Sequence, residues 1–419
     1  MVLLLSFTHL PTVATLVDSF FSTPKGSRPA VWVGIENYRT MAEDPVFWKS
    51  VTNNLWFAGA TIPLSIGLAL AMALWVNERI TGRAFLRMAY FTPTVLPMIA
   101  VWDDHETAND SYRDGAQNHQ RETEGDWEVR KAAAKRAYRE WMPVSDEPYA
   151  AYQVGDLATL FRLDTRLEGR EQQFSLEKVL AGQKDPQAAQ AMLEAFREGD
   201  WANPERQLLG AAQENWLAEC LAASTASGTP WQVLVQQVLI GNLRSPQSLM
   251  DQLGTALPDF VSQRLKAANM ASKAGLPLNM DAWDGYPAAR ERVFKAALNA
   301  DANLLVLAGD THNGWAFELA QDGAKVGVEL GVCSVSSPGF ENYLSFVKPD
   351  VLASALVAEN PQLKWADTAQ RGYMVVELTP ARATTEYRFV AGVKQRATQL
   401  AGTKRITSDR GSGKLAIDA

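Results

Sequence analysis

The sequence predicts an α/β domain that follows a segment of a different kind, and three observations carry this reading. The run Asn303-Leu304-Leu305-Val306-Leu307 is apolar from Leu304 onward, as a strand covered on both faces should be, and it leads into Gly309-Asp310-Thr311-His312. Helix-spaced Ala-, Leu- and Gln-rich stretches are interspersed with β-branched, apolar ones from about residue 126 to 390. Charge is unevenly placed: residues 1–101 carry 12 charged side chains and net +2, whereas the remaining 318 carry 75 and net −9. A chain of 419 residues has room for two or three domains, and the break divides it into 1–101 and 102–419.

The first hundred residues hold three apolar runs. Residues 2–21 are interrupted by His9, Pro11 and Asp18, and residues 54–76 are free of charge for more than 20 positions. The latter is long enough to cross a bilayer, so two or three transmembrane helices are expected here. Ala84 to Val101 is shorter, contains Arg87 and is broken by Pro93 and Pro97. Arg79, Arg83 and Arg87 against Glu78 place the intervening connector in the cytoplasm. The rest of the chain then lies on the periplasmic or extracellular side of an inner or plasma membrane, with the lipid bilayer as a partner.

Beyond residue 101 the elements come in order. Asp126 to Trp141 reads as a helix closed by Pro143, and Val154 to Arg166 as strands. Residues 175–225 read as two or three helices, Trp231 to Ile240 as a buried strand, and 246–273 as a polar helical stretch. Trp283 and Tyr286 serve equally as pocket walls or as core. Further strands are expected at Lys325 to Cys333, Gly372 to Leu378 and Thr384 to Val390, with a polar, mobile tail beyond Ala401. Cys220 and Cys333 have no framework or metal-ligand spacing and read as free thiols. The net charge of −7 argues against a nucleic-acid partner.

Candidate chemistry concentrates in two stretches, Trp102-Asp103-Asp104-His105-Glu106 and Gly309-Asp310-Thr311-His312, which hold two of the four histidines. Hard oxygen ligands with a neutral imidazole, in loops at strand ends, are what a metal site requires. The bland reading is a pair of hydrogen-bonded turns. Arg166 ends a strand and can either steady a phosphate bidentately or pair with a neighbouring carboxylate.

Asp-Asp-His-Glu followed by Gly-Asp-Thr-His resembles the PhoD-like alkaline phosphatases, a branch of the metallophosphatases. Gly155-Asp156-Leu157, Leu163-Asp164-Thr165-Arg166, Gln213-Glu214-Asn215-Trp216-Leu217, Trp283-Asp284-Gly285-Tyr286-Pro287 with Arg290, Ser336-Ser337-Pro338-Gly339 and Arg371-Gly372-Tyr373 extend the likeness in the family's order. Residues 1–101 instead resemble the front of a sugar-type ABC transporter permease, through Gly34-Ile35-Glu36-Asn37-Tyr38, Asp44-Pro45-Val46-Phe47-Trp48, Asn53-Asn54-Leu55, Gly82-Arg83-Ala84-Phe85-Leu86-Arg87 and Pro93-Thr94-Val95-Leu96-Pro97.

The first resemblance implies a four-layer α/β sandwich, incomplete here, and metal-assisted hydrolysis of phosphate mono- or diesters. It makes Asp104, Asp310 and His312 metal ligands or residues just behind them, His105 a proton donor or charge stabiliser beside the phosphate, and Glu106 the residue that orients His105; Asp103 is left as structural. It implies calcium and iron. The family's upstream site is a Gly-Asp pair with a nearby tyrosine and an iron-holding cysteine; the permease-like segment has no cysteine and no Gly-Asp pair, so calcium is expected while the iron ligands are absent. The alternatives are a truncated permease subunit, partnered by another permease and an ATPase, or a hybrid that performs neither task.

Overall fold

A computed structural model describes residues 10–22, 30–77, 99–142, 144–145, 147–248, 259–394 and 399–418, with side chains left undescribed at 10, 11, 64–77 and 259–265. The chain divides into two compact units, Met1–Pro97 and Met98–Ala419.

In the first unit, helices span Leu10–Asp18, Glu36–Glu43 and Pro45–Asn77. Asp44 caps the third by accepting from Val46 N (2.8 Å). The expectation of two or three transmembrane helices is corrected here: among the described residues no helix is long and apolar enough to cross a membrane. Of the first apolar run, residues 2–9 lie outside the described residues and Leu10–Asp18 form a helix of nine residues. The longer helix carries Lys49, Ser50, Thr52, Asn53 and Asn54 in its first half. The third apolar run lies outside the described residues up to Met98, and Ile99 to Val101 form no helix.

The second unit is built on a seven-stranded sheet in the order β1-β2-β3-β4-β6-β5-β7. Its strands are β1 (Ala150–Val154), β2 (Ala158–Arg162), β3 (Trp231–Val235), β4 (Leu304–Ala308), β5 (Gly314–Gln321), β6 (Ala324–Gly331) and β7 (Leu363–Asp367). The central run β2-β3-β4-β6 is parallel, and antiparallel strands flank it. A second sheet, β11-β10-β9-β8, comprises β8 (Gly372–Leu378), β9 (Arg382–Val390), β10 (Leu400–Asp409) and β11 (Ala416–Ile417).

Alternation along β4 shows why its sequence is apolar throughout. Leu304, Val306 and Ala308 face a core shared with helices Ala211–Ala226, Pro287–Asn299 and Pro349–Glu359, through Leu217, Leu221, Val293 and Leu356. Leu305 faces the opposite core, where Trp231, Val233 and Val328 meet Tyr387, Phe389 and Ile406 of the second sheet. Two side chains tie the sheets: Tyr387 Oη donates to Trp315 O (2.7 Å), and Trp231 Nε1 to Thr379 O (2.7 Å). The described residues thus supply three of the four expected layers. The outer positions of the second sheet, including Tyr373, Glu377, Glu386, Arg388 and Arg405, are exposed or half-buried.

The helix expected from Asp126 runs Trp127–Trp141, with Asp126 accepting from Glu128 N as its cap. Three helices fill 175–226, as the spacing predicted. Trp283 and Tyr286 are fully buried, which decides for core over pocket wall. The tail beyond Ala401 is not free: it forms β10 and β11, with Ile406 and Ser408 buried. Its outward side chains, Thr403, Arg405 and Thr407, are polar, and Lys404 stands on the inward side with Ile406, which masked the alternation.

Glu329 on β6 is buried, and its two oxygens accept from Ile240 N and Gly241 N (2.7 Å each), pinning the loop after β3. Burial outweighs these two donors and pushes its carboxyl up to about 8. A raised folded-state value stabilises fully below the unfolded value of 4.5, and that contribution is lost as pH rises through 8. Glu329→Gln should therefore flatten this part of the pH dependence of urea unfolding between about pH 5 and 9, at a cost of roughly 1–3 kcal/mol for the mismatched donor. Equal pH slopes in variant and parent would refute the assignment.

Candidate active site

Three loops meet at the carboxyl ends of the parallel strands, the usual position for chemistry in an open α/β sheet. Gln237, buried just after β3, joins them. Its Nε2 donates to Trp102 O (2.7 Å), its Oε1 accepts from Thr165 Oγ1 (2.7 Å), and its backbone oxygen accepts from Gly309 N (2.8 Å). One residue, through its side chain and its backbone oxygen, therefore touches the segments of all three candidate motifs.

In the first loop, Asp104 is buried and organises a turn: Oδ1 accepts from His105 N and Oδ2 from Asp110 N, both at 2.8 Å. The His105 side chain is 78% exposed, with Nε2 3.7 Å from Asp104 Oδ2. Glu106, expected to orient His105, instead accepts from Asp103 N (2.8 Å), and so shapes the backbone.

In the second loop, Asp164 is fully buried and accepts from Arg166 N (2.7 Å) and Leu167 N (2.8 Å), while Trp102 Nε1 donates to its Oδ2 (3.2 Å). This turn drives the Arg166 side chain inward, where it is wholly buried. Arg166 Nε donates to Asp103 Oδ1 (2.7 Å), Nη1 lies 2.8 Å from Asp281 Oδ2, and Nη2 is 3.5 Å from Asp310 Oδ1. Arg170 adds a second buried guanidinium, with Nη2 2.6 Å from Asp281 Oδ1 and Nη1 donating to Thr165 O (3.0 Å). Arg166 thus serves the carboxylate side of its two sequence readings, and Asp103 is its direct partner.

The third loop is backbone-strained: Asp310 and His312 both have positive φ, at 65° and 60°. His312 Nδ1 is 2.9 Å from Pro338 O. A carbonyl only accepts, so the ring carries its proton on Nδ1 and leaves the Nε2 lone pair available. Arg371 Nη1 donates to His312 O (3.1 Å) and pairs with Glu341, which also accepts from Gly339 N (3.1 Å to Oε2). A Cβ on Gly339 would lie 2.8 Å from His312 O, so only glycine allows this approach.

Charge is unevenly compensated. Burial and then the Asp103 carboxylate push the Asp310 carboxyl well above the ordinary range, against the pull of Arg166. Burial and then Asp281 raise Asp110. For Asp281 burial opposes the charge, but Arg170 and Arg166 outweigh it and hold the carboxyl low. Asp281, Arg170 and Asp110 were not singled out from sequence. The signal for Asp281 was its place two residues before the quoted Trp283-Asp284-Gly285 segment. A cleft of about 640 Å³ adjoins the cluster, with Asp110, Gln173, Phe174, Asn279 and Asp281 in its wall.

A model of the PhoD-like phosphatase family matches residues 91–387. The chain belongs to the PhoD-like phosphatase family. It is 30% identical over 314 residues to alkaline phosphatase D of Bacillus subtilis strain 168, covering 71% of this chain and 45% of that protein. A solved structure titled "Structure of PhoD" superposes with a TM-score of 0.54 at 24% identity, over 77% of this chain and 55% of that one, which supports the fold. A separate likeness reaches permeases. The sulfoquinovosyl glycerol transport system permease protein SmoG of Agrobacterium fabrum is 35% identical over 98 residues, 23% of this chain and 32% of that protein. The inner membrane ABC transporter permease protein YcjO of Escherichia coli K12 is 29% identical over 97 residues, 22% of this chain and 33% of that protein. The chain spans about half the length of the phosphatase relatives it matches.

The PhoD-like family is metal-dependent. The donors here are of the right chemistry, with Asp103, Asp104, Asp110, Asp281 and Asp310 outnumbering Arg166 and Arg170. Their arrangement does not fit an ion: both Asp104 oxygens hold backbone N–H groups, Arg166 stands among the others, and among the described residues no three His, Cys, Asp or Glu are grouped to hold a metal.

Gln237→Leu should destabilise the second unit by roughly 2–4 kcal/mol, because the Thr165 hydroxyl and the Trp102 carbonyl both lose a buried partner. Chemical denaturation measures this, and a loss under about 0.5 kcal/mol would contradict the joining role.

Proposed function

We propose that residues 98–419 form a phosphoester hydrolase of the alkaline phosphatase D type, acting on phosphate mono- or diesters and weakened in this chain. The observation that carries the reading is the convergence of Asp103, Asp281 and Asp310, from three separate loops, at the strand ends of a PhoD-like domain. His105, exposed beside Asp104, is the proton donor to the leaving oxygen. His312, held in its Nδ1–H form, offers a lone pair at Nε2. Asp104, Asp310 and His312 are the candidate ligands, and calcium is the ion that carboxylate oxygens suit. Since they do not converge as arranged, no step is routed through a metal. Iron is not part of the proposal: the cysteine and Gly-Asp pair that hold it in the family are missing from residues 1–101. Transport is not proposed either, because the permease likeness spans only 32% of SmoG.

The test is hydrolysis of p-nitrophenyl phosphate and bis-p-nitrophenyl phosphate by the purified full chain, with and without millimolar calcium. Slow turnover is expected, with kcat/KM lowered by roughly 100-fold or more in His105→Ala. His312→Ala should lower it by roughly 10- to 100-fold. Turnover that neither substitution changes, or none with either ester, would sink the proposal.

A further inference from the structure

We infer that Arg166 is the resident cation of this carboxylate cluster, and that its guanidinium and a divalent metal exclude one another from the site. Its side chain is 0% exposed and reaches three carboxylates contributed by three loops: Asp103 at 2.7 Å, Asp281 at 2.8 Å and Asp310 at 3.5 Å. A guanidinium without water must have such partners, and carboxylates gathered this closely must have a cation. Each half of the arrangement therefore accounts for the other. The backbone commits Arg166 to the position, because Asp164 accepts from both Arg166 N and Leu167 N and aims the side chain inward.

The contacts also specify what would have to change for an ion to enter. Asp103 and Asp281 each hold Arg166 through a charge-assisted bond of ordinary length, whereas Asp310 is the loosest partner. A divalent ion bridging these carboxylates would need the space that Nη1 and Nη2 fill, and Arg166 would have to leave its buried position. Charge compensation within the fold thus takes over the work that a bound ion performs in a metal-dependent relative. The inference draws on the metal-site reading of the cluster but not on turnover, so an inactive protein leaves it standing.

The experiment uses the full chain with calcium alone as the probe, read by equilibrium dialysis and by thermal unfolding. The parent protein should bind no stoichiometric calcium at 1 mM (roughly the free concentration that detects weak sites) and show no calcium-dependent change in Tm. Arg166→Met should lower Tm by roughly 5–10 °C without calcium. Calcium should then raise the Tm of that variant by about 3 °C or more, with about one ion bound per chain. Arg166→Lys, which keeps a positive charge, should stay insensitive to calcium. Stoichiometric calcium on the parent overturns the inference whether or not the variants fold. So does an Arg166→Met protein that gains no calcium response, folded or unfolded, and so does an Arg166→Lys protein that responds like Arg166→Met.

Discussion

The constraint on which the second unit turns is the burial of one positive charge. Arg166 is removed from water completely, and a guanidinium in that state is tolerable only with carboxylates around it. For it, burial opposes the charge, while Asp281, Asp103 and Asp310 more than restore it and hold the guanidinium firmly protonated. Those partners come from the loop that opens the domain, the loop before helix Pro287–Asn299 and the loop after β4. The ion pairs therefore set the relative position of chain segments 63 to 144 residues apart.

Around this centre the fold supplies fixed points of backbone geometry. Gln237 bonds to the segments of all three motifs, Asp164 shapes the turn that presents Arg166, and Arg371 with Glu341 holds the His312 loop against Pro338 and Gly339. Several residues that carry the family likeness turn out to do this supporting work. Gln213 both accepts from Asp164 N and donates to Asp164 O, and Asp284 pairs with Arg290 while accepting from Leu243 N. A family motif marks what a fold requires as well as what a reaction requires.

Much of the architecture could be read from residue order. The continuous apolar character of β4 announced a strand covered on both faces, and the helix after Asp126 was legible from its cap and its periodicity. The features that escaped were governed by surroundings. β10 looked like a polar tail because its outward residues are Thr403, Arg405 and Thr407, and its inward side also carries Lys404 and Ser408 beside Ile406. The run at 54–76 proved to be part of a 33-residue helix, Pro45–Asn77, that begins nine residues earlier. Trp283 and Tyr286 had no local signal to separate wall from core, and packing against the sheet decided for core.

The sequence by itself determined the join near residue 101, the α/β character of the domain beyond it and the two acidic motifs at strand ends, because composition and hydrophobic period are local properties. It also placed Asp104, Asp310 and His312 in those loops. Only the tertiary structure decided what they do there. Which carboxylate faces which cation depends on loops brought together from distant parts of the chain, and on whether a side chain loses its water on the way. That is why Asp281 emerged as a partner of Arg166, why Glu106 turned to its own backbone, and why an arginine rather than a gathered set of metal ligands stands at the centre of the site.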